Sequence, residues 1–171
     1  MSLQTLIDFV PDYLWVKDTE SRFVVANKAL TIDSGLTRTS ELIGLSDHDL
    51  HEPELAQDFF AVEQKILNSG EPIIDREELV VDGMGNEKWL LSTKVPMRDE
   101  QNEVIGLVGI ARDITGRKKA EALRDGQAQI LEMIAMSAEL GDILNHLVRL
   151  VESQLTGIFG SVLLLDKDGH H

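Results

Sequence analysis

Residues able to do chemistry are thinly and unevenly spread along this chain. His48 and His51 sit in an acidic run, SDHDLHE, between Asp47, Asp49 and Glu52, while Lys94 stands alone inside the strand-like stretch WLLSTKVPM. There is no cysteine, which removes disulfides, thiolate metal sites, thiol nucleophiles and cysteine-attached chromophores together. No serine, histidine and aspartate order, no HExxH and no phosphate-cradling glycine loop is present. Gly83-x-Gly85 reads as a hairpin turn, since no helix opens after it as a dinucleotide loop requires. In an acidic chain, neighbouring carboxylates arise by chance. These residue types therefore point to a binding or interaction module with no catalytic residues and no metal site.

Thirty acidic against 16 basic residues give a formal charge of −14 over 171 residues. Such a field repels phosphate, so nucleic acid and anionic membrane are not expected as partners. No apolar run approaches the ~18 residues of a membrane span, and the chain reads as cytoplasmic. Its length suits one domain with an appendage or two small domains.

The elements that must position these residues follow from periodicity. Leu3, Leu6, Ile7 and Val10 recur at helical spacing until Pro11 stops them, which predicts a short amphipathic helix. Tyr13 to Lys17 and Arg22 to Ala26 are β-prone runs around the turn cluster Asp18 to Ser21. Asn27 caps a short helix that Gly35 closes. Leu42 to Glu52 reads as short helical turns and loop. Pro53 opens a longer helix with Leu55, Phe59, Val62 and Ile66 on one face, ended by Asn68 to Gly70. Pro72 to Val81 is a charged strand, turned by residues 82–86 into a hairpin of Lys88 to Met97 with Val104 to Ile114. The second of those strands stops at Asp113-Ile114-Thr115, where short oxygen side chains can cap a following helix.

The pieces VKDTESRFVVANKA, LIGLSDHDL, ILNSGEP, DGMGNEKWLLSTKVPMRD and VIGLVGIARDIT, in this order, resemble a PAS domain. The resemblance implies an α+β fold: a five-stranded antiparallel sheet with helices on one face, an N-terminal capping helix and a long C-terminal helix. It divides the chain into a capping helix (1–11), a PAS sensor domain (12–115), a signalling helix (116–140) and a truncated GAF start (141–171). The last is suggested by ILEMIAMSAELGDILNHLVRLVESQLTGIFGSVLLLDKDG, with a strand expected at Ser161 to Leu165.

Two-residue alternation gives the strand of Trp89 two faces. The resemblance sets which one looks inward: Leu90, Ser92 and Lys94, with Leu107, Gly109 and Ala111 from the last strand and Phe59 from the helix, would line a cavity. Gly106, Gly109 and Ala111 would leave space in it. A lysine facing that cavity is costly unless paired, so an ion-pair lock of Lys94 with Asp47 or Asp49 is expected, Asp18 being a further candidate; the competing reading is that Lys94 snorkels to water. The outer face would carry Trp89 and Leu91 and, with Leu3, Leu6 and Val10 of the capping helix, form a homodimer face. Haem in this family needs a histidine on or near the long helix; Glu54 to Leu67 contains none, so His48 and His51 are read as loop residues and haem is not expected. The cofactor is unknown and a small-molecule ligand is one expectation. Asp113, Ile114 and Thr115 are the junction through which a sheet would signal to a helix.

Beyond the junction, Ala120, Leu123, Ile130 and Ile134 form a heptad-like seam, with Gln127 and Ser137 at other seam positions. Gly126 weakens that helix by ~1 kcal/mol relative to Ala, so a partner helix is expected; parallel pairing with a second chain is one reading and burial of the stripe against its own domain the other, and the sequence leaves the direction of pairing open. The function implied is a sensory and dimerisation module of a bacterial signalling protein, coupled to a cyclic-di-GMP cyclase, a phosphodiesterase or a histidine kinase. The alternative is a ligand-free PAS used only for dimerisation.

Overall fold

The computed structural model describes residues 2–82, 85–154 and 159–163. It divides into two compact units, residues 1–115 and 116–171. In the first, α1 (Leu3–Ile7) precedes β1 (Tyr13–Lys17), β2 (Phe23–Ala26) and α2 (Lys28–Asp33). Two single 3-10 turns, Thr39–Glu41 and Asp47–Asp49, lead to α3 (Pro53–Ser69), and β3 (Ile73–Val81), β4 (Glu87–Arg98) and β5 (Val104–Asp113) close the unit. The five strands form one antiparallel sheet in the order β2-β1-β5-β4-β3. The expected α+β, five-stranded antiparallel fold is thus present, with the middle helix reduced to 3-10 turns. The tip of the β3–β4 turn, Gly83 and Met84, lies outside the described residues.

Local rules account for most boundaries. The side chain of Asn27 accepts a hydrogen bond from Leu30 N and caps α2. Pro53 occupies the first turn of α3, and Gly70, at φ 69°, closes it in the left-handed conformation. The inner face of the sheet holds the core: Tyr13, Trp15, Phe23, Ala26, Leu42, Leu107 and Ala111 are buried there, with α3 packed against β4 and β5. Alternation along β4 follows the expected parity. Ser92 and Lys94 are buried, whereas Trp89, Leu91, Thr93 and Val95 are half-buried on the other face.

One expectation changes, that Gly106 and Gly109 leave space, and the capping helix is held by polar contacts. The N-terminal helix does not bury its apolar stripe: Leu3 is 72% and Leu6 51% exposed. Polar bonds hold it in place, since Gln4 Nε2 donates to the Ala26 carbonyl and Asn27 Nδ2 donates to those of Ile7, Val10 and Asp12. Gly106 and Gly109 open no space. A Cβ on Gly109 would lie 2.1 Å from Trp15 Cε2, and one on Gly106 would lie 2.4 Å from the Lys17 carbonyl oxygen. An indole and a neighbouring strand already fill the room that the glycines leave.

The second unit contains α4, which begins at Thr115 and runs to Ala135, and α5 (Leu140–Gln154). A turn with Ser137 at φ 56° separates them. Gly126 of α4 lies under Leu150 of α5, where a Cβ would come within 2.4 Å of Leu150 Cδ1. The helix that Gly126 requires is therefore its own neighbour in the chain. Leu123 and Ile134 of the heptad-like seam remain exposed. Residues 161–163 are not in a strand, and the rest of the strand expected there lies outside the described residues.

Candidate functional site

Between the inner face of the sheet and α3 lies a cavity of about 70 Å3. That is room for about two water molecules at liquid density. Of the residues expected to line it, Phe59, Leu90, Lys94 and Ala111 do so. Ser92 and Leu107 are buried on the same face, and Gly109 lies beneath the indole of Trp15, itself a lining residue.

The polar centre of this cavity differs from the expected lock. Lys17, at the end of β1, is 1% exposed and its ammonium donates to Asp47 Oδ2 at 2.5 Å and to Glu63 Oε1 at 2.8 Å. Lys94 reaches neither Asp47 nor Asp49; its nearest carboxylate is Glu63, with Nζ 3.9 Å from Oε1. At 3% exposure it does not snorkel to water either. Its ammonium lies over aromatic faces, 4.9 Å from the Phe59 ring centre and 6.0 Å from that of Trp15. Asp49 is used locally: its carboxylate accepts from the backbone N and hydroxyl of Ser46, which hold it below the usual carboxylate range. Asp18 likewise caps its own turn, accepting from Glu20 N and Arg22 N.

The physical reason for the exchange is parity. Lys17 shares the inner face of β1 with Tyr13 and Trp15, and Glu63 falls one turn after Phe59 on the buried side of α3. Both were legible as positions on a face, but their meeting across 46 residues was not. Burial pushes the Glu63 carboxyl above its usual range, with Lys17 opposing and Asp47 reinforcing the shift. Burial also pushes the His51 imidazole below its ordinary value. His51 packs edge-on against Phe59 with ring centres 5.4 Å apart. At the other end of the cavity, Tyr13 Oη donates to Asp33 Oδ1 at 2.8 Å, and Lys88 pairs with both Asp33 and Asp82.

At the last residues of the first unit the end of β5 is tied back to β4. Ile114 N donates to the Trp89 carbonyl at 2.8 Å, Trp89 N donates to Thr115 Oγ1 at 2.9 Å, and Thr115 N donates to Asp113 Oδ1 at 2.8 Å. Asp113, Ile114 and Thr115 thus join β5 to the start of β4, and Ile114 is buried. Of the expected dimer face, Val10, Trp89 and Leu91 are half-buried, and Leu3 and Leu6 are exposed. Among the described residues no helix is long and apolar enough to cross a membrane.

Comparison with known proteins places these features. A family profile described as PAS fold matches residues 7–119. The chain is 32% identical over 117 residues to the methanogenesis regulatory histidine kinase FilI of Methanothrix harundinacea, covering 68% of this chain and 13% of that protein. It is 28% identical over 104 residues to a diguanylate cyclase of Vibrio cholerae, covering 60% and 32% respectively. Among solved structures, the PAS domain from Bordetella pertussis BvgS superimposes with a TM-score of 0.56 at 26% identity, over 79% of this chain and 95% of that one. The chain therefore spans less than a third of the length of these two relatives.

Proposed function

The chain belongs to the PAS fold family, and on that premise we propose that it is a sensory and dimerisation module of a larger signal-transduction protein. A cue in the cavity shifts the population of two arrangements of β5, and the Asp113-Ile114-Thr115 junction passes the difference to α4. One observation carries this reading. Ala111 lines the cavity, and within four residues the same strand is bonded through Ile114 and Thr115 to the backbone of Trp89. A change at the cavity wall has almost no slack chain in which to dissipate.

The relatives include a histidine kinase and a diguanylate cyclase, so the output is assigned to one of these classes, with cyclic-di-GMP hydrolysis as a third. Residues 116–140 act as the signalling helix and residues 141–171 as the start of a GAF domain. Two chains pair through the outer sheet face with Trp89, Leu91, Val10, Leu3 and Leu6, whose apolar surface is left partly uncovered. Their α4 helices pair in parallel along the exposed Leu123 and Ile134.

The small size of the cavity favours the competing reading, a ligand-free interaction module. Native mass spectrometry of the purified chain separates the two. A sensor gives a dimer that carries a small molecule or gains one from a metabolite extract, with slower amide exchange at Ile114 and Thr115 when it is bound. A dimer that never takes up a molecule identifies the interaction module, and a monomer removes the dimerisation half of the proposal.

A further inference from the structure

Around the Lys17 cluster three polar groups are left over once Lys17 has taken Asp47 and Glu63; a further lining oxygen without a hydrogen bond, Glu78 Oε1, has the Arg76 guanidinium 3.3 Å away. The Lys94 ammonium lies beyond hydrogen-bonding distance of Glu63. The indole Nε1 of Trp15 and the Oε2 of Glu63 are buried and have no hydrogen-bond partner. An unpaired buried donor costs about 1–3 kcal/mol and an unpaired charge more, so these groups are a poor way to fill a core. They are a reasonable way to wait for a ligand.

The sheet register brings two of them together. Gly109 of β5 is paired with Trp15 on one side and with Lys94 on the other, so the three form one row across the inner face. The Cα atoms of Trp15 and Lys94 are then about 10 Å apart, two strand spacings. With no side chain on Gly109, the indole lies flat over it, and a Cβ there would sit 2.6 Å from Nε1. The glycine thus lets the indole lie within the row that ends at Lys94, whose ammonium is 6.0 Å from the ring centre. Two donors, one of them cationic, thus belong to one row, and neither has a hydrogen-bond acceptor.

The charges of the same cluster define what would complete it. Lys17 on β1 takes both Asp47 on its turn and Glu63 on α3 at hydrogen-bond distance, which leaves Lys94 on β4 as the second cation of the cluster with no carboxylate of its own. The cation left without a hydrogen-bonded counter-charge is Lys94, whose ammonium stands 3.9 Å from Glu63 Oε1. The surrounding walls of Phe59, Leu50, Leu90 and Val80 are apolar. We propose that the cavity is a site for a small monocarboxylate anion of about two to four carbons. Its carboxylate accepts from Lys94 and Trp15, and its short alkyl end lies against Phe59 and Leu50. This rests on the sensor reading above and names its ligand class.

The test uses the whole chain, 15N-labelled, with sodium propionate as the probe and sodium chloride at equal ionic strength as the control. Propionate is expected to give a saturable shift of the indole N–H resonance that is missing in Trp15→Phe. Propionamide, of the same shape but neutral, and propylamine should each bind at least about tenfold more weakly, which corresponds to about 1.4 kcal/mol. Lys94→Met should weaken propionate by at least the same factor while keeping a cooperative melt, and Lys94→Gln serves if the methionine variant does not fold. Equal binding of propionamide, tighter binding of propylamine, a chloride shift matching that of propionate, or no saturable shift overturns the proposal. If propionate fails while native mass spectrometry still finds a retained molecule, only the ligand class is wrong; if nothing is ever retained, the sensor reading fails with it.

Discussion

Lys17 and Lys94 project into the same cavity, yet replacing each with methionine should have opposite consequences. Lys17 makes contacts of 2.5 and 2.8 Å to Asp47 and Glu63. At an effective dielectric of about 20, each is worth about 6–7 kcal/mol before desolvation is subtracted. Lys94 has one contact at 3.9 Å, worth about 4 kcal/mol on the same scale, which the several kcal/mol needed to bury an ammonium cancels. Lys17→Met leaves two buried carboxylates without their shared cation and should cost about 3–5 kcal/mol. Lys94→Met removes a buried cation with no hydrogen bond to lose, and should fall within about 1 kcal/mol of the parent or slightly above it. Urea denaturation followed by far-UV circular dichroism reads this directly. At a slope of roughly 2 kcal/mol per molar, Lys17→Met should lower the midpoint by about 2 M and Lys94→Met should scarcely move it. The pH dependence supplies a second check. A carboxyl whose folded pKa is raised contributes stability below its unfolded value that is lost as pH rises through the folded one. In Lys17→Met the raised Glu63 has lost its main opposing cation, so its deficit should shrink as pH falls from about 7 to about 5. Equal midpoint losses in the two variants, or a Lys17→Met protein as stable as the parent, would refute the assignment of Lys17 as the paired lysine.

Asn27→Ala should cost about 2–3 kcal/mol in the same assay, because one fully buried amide accepts from Leu14 and Leu30 and donates to three carbonyls of the N-terminal segment. Chymotrypsin should also cut that segment faster at Phe9 once the amide is gone. Thr115→Val keeps the shape of the junction but leaves Trp89 N without its hydroxyl acceptor. About 1 kcal/mol should be lost, with faster amide exchange at Trp89 and little change in β1 or β2; uniform acceleration across the sheet would show that the bond is not local. The His51 imidazole has its folded pKa lowered by burial, so its contribution is present above its ordinary value and is lost as pH falls through the folded one. Between about pH 7 and about pH 5 the parent should lose stability more steeply than His51→Gln, and parallel urea-midpoint curves would exclude that role.

The cavity and its charges show where local rules stop. Asn27 as a helix cap, Pro53 as a helix start, the alternation of β4 and the short oxygen side chains at Asp113 and Thr115 depend on residues within one turn or one strand. The amino-acid order alone determined them, and with them the five strands and the parity that puts Ser92 and Lys94 inside. What it left open was which charged groups meet. Asp47 and Glu63 are 30 and 46 positions from Lys17, and the acid expected to hold Lys94 was chosen from a loop holding several. Strand order and register decided the matter by setting β5 between β1 and β4, so that Lys17 on β1 meets Asp47 of the 3-10 turn while Lys94 stands two strands away, beside Phe59. Gly109 reads in sequence as empty space, yet Trp15, 94 residues earlier, fills it because the two are register partners. Backbone and capping preferences act over a few ångströms along the chain and are written in neighbouring residues. The pairing of buried charges acts over a few ångströms through space, and only the tertiary fold determines which residues those ångströms separate.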